Sequence, residues 1–151
     1  MNLITYSRPH FTDSSSKHAI DQKIIKELES YPQVAELFKK ARETLKELRL
    51  PELTILTDNS TDSLSLAETN DNIIKIKSYC SRGQKLMAVI FELQNLIQQK
   101  EKNRIIGTVR NYTREDFVKA IEANEFEIVK RTVQITRNLK RQGVDIENHW
   151  E

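Results

Sequence analysis

The chain of 151 residues holds one cysteine, three glycines and three prolines, and its 24 Lys plus Arg nearly cancel its 22 Asp plus Glu. Each scarcity excludes something. A lone Cys80 cannot close an internal disulfide, which fits a reducing compartment. A domain of this size hides roughly two thirds of the surface its unfolded chain exposes, so folding needs no covalent staple. Three isolated glycines cannot build a Gly-rich phosphate cradle. A formal net charge of +2 is far below that of a dedicated nucleic-acid binder. No run approaches the ~18 consecutive apolar residues of a membrane span. The opening, MNLITYSRPHFTDSSS, has neither the apolar stretch nor the cleavage site of a secretory signal. A soluble protein is therefore expected, cytoplasmic or secreted without a cleavable Sec signal. His10, His18 and His149 lie in or near the ends and form no zinc-ligand spacing with Cys80, so neither a metal nor a cofactor is expected.

What is present is a succession of periodicities. Residues 1–16 have none and read as a tail, residues 17–142 as one domain, and residues 143–151 as a second tail that docks through Trp150. Ile20, Ile24, Ile25 and Leu28 recur at helical spacing as far as Tyr31, where Pro32 disfavours continuation. Pro32 suits the first position of a second helix, striped by Val34, Leu37, Phe38, Ala41, Leu45 and Leu48, which Leu50 and Pro51 end. Between Glu52 and Lys77 the period becomes two: Leu53 and Ile55, Leu64 and Leu66, then Ile74 and Ile76, with DNST and TNDN as turns. A three-stranded antiparallel meander is predicted. Ser81 and Gln84 form a capping box for a third helix striped by Leu86, Val89, Ile90, Leu93, Leu96 and Ile97. After a connection containing Gly107, Thr113 and Asp116 make another box, with Tyr112 and Phe117 as its hydrophobic staple, and a long last helix runs to Gln142 before Gly143. The predicted class is α+β: two N-terminal helices, a small antiparallel sheet, a motif helix and a long C-terminal helix.

The third helix carries Phe91-Glu92-Leu93-Gln94-Asn95. A helical metallopeptidase site uses this spacing, because residues one turn apart reach one ion while the Glu between them activates its water. With NIIKIKS before it, LMAVIFELQN around it and FVKAIEANEFE after it, residues 53 to 130 resemble the zincin-like metallopeptidase domains of bacterial toxins and secreted effectors. In that resemblance Glu92 matches the catalytic Glu, and Glu122, Glu125 or Glu127 supplies a downstream carboxylate. Phe91 and Asn95 stand where the two His ligands would be, so the resemblance implies a domain without zinc that acts by binding another protein, as a secreted effector or toxin-associated module.

Periodicity ranks the carboxylates independently. On the last helix, Phe117, Ile121, Ile128, Ile135 and Leu139 mark one edge of an apolar arc and Phe126, Val129 and Val133 the other, which places Glu125 inward and Glu127 outward. An inward carboxylate needs a partner, and Gln94, Asn95, Lys85 or a strand Arg could serve. The candidate site is therefore Glu92, Asn95 and Glu125, and ordinary polar-face positions account for the same residues. A metal-independent enzyme with Glu92 as general base and Glu125 setting the local field is the alternative. Cys80, beside a helix start, lacks a His partner and reads as packed and inert. Lys130, Arg137, Lys140 and Arg141 could bind nucleic acid or anionic lipid, although a helix C-terminus favours such residues anyway and no exposed aromatics interleave them.

Overall fold

The computed structural model describes residues 15–61, 65–148 and 150. The order is α1 (Ser15–Glu29), α2 (Pro32–Glu47), β1 (Thr54–Asp58), β2 (Ala67–Asn70), β3 (Ile73–Lys77), α3 (Arg82–Ile97), α4 (Gln99–Gly107), a 3-10 turn (Val109–Asn111) and α5 (Arg114–Arg141). This is the α+β class. Residues 1–14 of the expected tail, Leu64 of the expected middle strand, His10 and His149 lie outside the described residues.

Pro32 opens α2, which buries Val34, Leu37, Phe38, Ala41 and Leu45. Arg49, at φ 57°, then turns the chain so that Leu50 N–H donates back to Leu45 O at 2.9 Å. The sheet corrects the predicted meander. Its order is β1-β3-β2, with β2 antiparallel to β3 but β1 parallel to it, and β2 begins only at Ala67. Two-residue alternation specifies which side chains share a face and says nothing of strand direction. The central place goes to β3, whose Ile74 and Ile76 are fully buried, while the polar AETN of β2 suits an edge. Parallel register also sets Asp58 against Lys77, giving a 2.7 Å ion pair around a lysine that is only 4% exposed. The TNDN segment forms the expected turn between β2 and β3, with Asp71 at φ 52°.

The apolar stripe of α3 is the centre of the core, packed against the sheet and against α1, α2 and α5. Its Ser81–Gln84 capping box is complete. The expected irregular connection to Thr113 is instead mostly helix, since Gln98 passes the chain from α3 into α4. Thr113 caps α5 by accepting from Asp116 N–H, while the Asp116 carboxylate takes the Thr113 hydroxyl rather than closing the box on the backbone. The staple forms, with the Tyr112 and Phe117 rings edge-on at 6.5 Å. Beyond Gly143, Ile146 is buried and Glu147 N–H donates to Gly83 O at 3.3 Å. A Cβ on Gly83 would stand 3.3 Å from Asp145 O and from Glu147 N, so glycine lets the tail cross α3 closely. Among the described residues no helix is long and apolar enough to cross a membrane.

Candidate functional site

The site lies where the outer strand β2 meets α3. Ala67 and Thr69 alternate with the exposed Glu68 and Asn70, and α3 brings Glu92 and Asn95 one turn apart beneath them. Glu92 is only 5% exposed. Its Oε2 accepts from Thr69 Oγ1 at 2.5 Å and from Asn95 Nδ2 at 3.1 Å, so a strand and a helix meet on one carboxylate oxygen. Burial pushes the Glu92 carboxyl above the ordinary carboxylate range. The Thr69 and Asn95 hydrogen bonds oppose that shift, the Glu68 charge adds to it, and Lys102 offsets part of it.

Above Glu92 opens a cleft of about 510 Å³, walled by Thr69 on β2, Asn95 on α3, Lys102 on α4, and Glu125 and Val129 on α5. A smaller apolar hollow of about 150 Å³ adjoins it, between Ala67, Met87, Ala88, Phe91 and Trp150. Phe91 and Glu92 line both. The expected docking of the tail through Trp150 is present and specific: its ring stacks on Phe91 with centroids 5.2 Å apart.

The structure thus brings Glu92, Asn95 and Glu125 to one cleft, but it corrects the environment of Glu125. That residue is exposed and, among the described residues, makes no hydrogen bond or ion pair with Gln94, Asn95, Lys85 or any Arg. The reason is the width of the buried stripe on α5. Phe126 is 65% exposed, and burial is confined to Asn124, Ile128, Thr132, Thr136 and Leu139, so the middle of the presumed arc is the edge of the real one. Glu122 is exposed as well, and Glu127 is half-buried beside Lys130 and Arg131 at 3.5 and 3.7 Å. Lys130, Arg137, Lys140 and Arg141 are exposed.

Sequence reasoning missed Thr69, Lys102 and Glu68. Thr69 stood inside a turn motif, and no local signal ties it to a helix 23 residues away. Cys80 is buried, its Sγ lies 3.7 Å from Leu66 O, and burial raises its thiol pKa, which disfavours the nucleophilic thiolate.

Compared with protein-family models, curated proteins and solved structures, the chain matches none. The functional reading therefore rests on the geometry of the cleft. Among the described residues no three His, Cys, Asp or Glu side chains are grouped so as to hold a metal ion.

Proposed function

We propose that the protein is a zincin-like domain without zinc, which binds another protein by taking an extended segment of it into the cleft above Glu92. One observation carries this reading. The side chains at both ligand positions of the motif are committed inside the protein: Asn95 donates its amide to Glu92, and Phe91 stacks on Trp150. A metal-activated water has no place in that arrangement, whereas an open cleft beside an edge strand has a use in binding. The antiparallel ladder, in which Lys77 N–H donates to Leu66 O, turns the backbone groups of Ala67 and Thr69 away from β3. An extended segment can pair with such an edge.

The scaffold is tested by restoring the ligands. The F91H/N95H double variant is expected to gain measurable zinc affinity, read by titration calorimetry on tag-free protein. If it folds and binds no more zinc than the parent, the zincin-like reading is wrong. Stoichiometric zinc in the parent, lost on changing Glu92, would overturn the absence of catalysis. A second reading draws on the raised pKa of Glu92 and on Glu125 sharing its cleft: acid–base catalysis without metal. It requires a hydrolytic activity that E92Q abolishes and whose pH profile follows the Glu92 titration.

A further inference from the structure

We infer that the cleft selects a cationic side chain, the ammonium or guanidinium of a Lys or Arg in the bound segment, with an apolar side chain two residues away filling the hollow beside Trp150. This rests on the reading of the cleft as a peptide site and names the chemistry of its partner. Among the described residues, the charged side chains that line the cleft are Glu68, Glu92 and Glu125 against Lys102. Glu92 is more than nine-tenths buried, yet both of its hydrogen-bond donors are neutral and both use Oε2. Among the described residues Oε1 accepts no hydrogen bond and Glu92 has no ion-pair partner. A desolvated carboxylate that no cation contacts, its burial offset only in part by the Lys102 charge, is an unfavourable arrangement that an incoming cation relieves, and the exposed Glu125 adds attraction on the facing wall.

The second half of the preference follows from the neighbouring hollow. It is lined almost wholly by apolar groups and shares Ala67, Phe91 and Glu92 with the cleft. In an extended chain, side chains two residues apart point the same way and stand roughly 7 Å apart. A segment lying along β2 therefore offers one side chain to the hollow and the next on that face to the carboxylates. An acidic or phosphorylated segment would meet like charge in the same place.

The test uses short peptides that are acetylated and amidated, so that only the side chain supplies charge: Thr-Leu-Thr-Lys-Thr-Val-Thr and its analogues with Arg, Gln or Glu in place of Lys. Binding is read by the fluorescence of Trp150, the only tryptophan, and by the amide resonance of Thr69. The Lys and Arg peptides are expected to bind at least about tenfold more tightly than the Gln peptide, with the Glu peptide weakest and the differences shrinking as salt rises. E92Q is expected to narrow the Lys-to-Gln gap. Should that buried variant fail to fold, E125Q at the exposed wall is expected to narrow it as well. Equal binding of the Lys and Gln peptides overturns the cation preference and leaves the peptide cleft standing. If no peptide in the set perturbs Thr69, both the preference and the cleft reading fall.

Discussion

Replacing Glu92 with Gln should make the protein more stable at neutral pH, although the residue is buried and doubly hydrogen-bonded. Both donors, Thr69 Oγ1 and Asn95 Nδ2, meet the same oxygen, so the amide can offer its own oxygen to them and turn its NH2 toward the cleft. Exchanging two hydrogen bonds to a charged acceptor for two neutral ones forfeits about 2 kcal/mol, at roughly 1.5–3 against 0.5–1.5 kcal/mol each. Removing the charge recovers the desolvation penalty of a nearly buried carboxylate, which is several kcal/mol. Burial is the largest influence on the Glu92 pKa, so the second quantity exceeds the first, and a net gain on the order of 1–2 kcal/mol is expected. The sign depends on pH. Because the folded carboxyl titrates above its ordinary 4.5, the parent is relatively most stable below that value and loses stability as pH rises through the folded pKa. The advantage of E92Q must therefore fade on acidification. Urea unfolding followed by circular dichroism at pH 7 and pH 4 measures both. A variant less stable than its parent at pH 7, or an advantage that persists unchanged at pH 4, would refute the reasoning.

Three further outcomes follow from other parts of the fold. Thr132 and Thr136 are fully buried, and their hydroxyls donate back into α5 itself, Thr132 to Ile128 O at 2.8 Å and Thr136 to Thr132 O and Val133 O at 3.0 and 3.1 Å. T132V should hold stability within ~1 kcal/mol or raise it, because a methyl replaces a hydroxyl whose acceptor already serves the helix; a loss above ~2 kcal/mol in thermal unfolding would show that the hydroxyl does more. The Lys77 ammonium, with Ser60 assisting, holds the Asp58 carboxyl well below its ordinary 3.8. Its contribution is full above that value and is lost as pH falls below it, so D58N should be less stable at pH 7 and should lack this part of the acid dependence in a pH series of urea midpoints. W150A should unstack Phe91 and weaken binding of a leucine-bearing peptide, while a peptide with Ser in place of Leu binds the parent and the variant alike.

The helices were legible because capping and periodicity are local. Ser81, Gln84, Thr113 and Pro32 each mark a boundary through groups within one turn of it. Strand direction was not legible, since β1 and β3 pair across a long connection and the decisive contact, Lys77 with Asp58, spans 19 residues. At the site, the side of α3 that carries Glu92 and Asn95 could be read from the sequence, but Thr69 could not. The exposure of Glu125 is not legible because its apolar neighbour Phe126, which the periodicity places on the buried arc, faces solvent. One exposed aromatic is enough to rotate an inferred buried stripe.

The stripe on α5 has a further consequence for motion. Its first buried residue is Asn124, ten positions into the helix, and α4 buries Ile105 alone. Few buried contacts mean a low free energy of local opening, so amides of α4 and of the first turns of α5 should exchange with solvent well before those of α3 or β3. Glu125 and Val129 sit where this loosely held half gives way to the anchored half around Ile128 and Leu139. The two walls of the cleft thus belong to units of unequal rigidity: β2 is hydrogen-bonded to the central strand, and the facing helix can yield at its N-terminal end without disturbing the core. Amide exchange at the start of α5, measured with and without a bound peptide, therefore reports how that wall responds to side chains of different bulk against the carboxylate on α3.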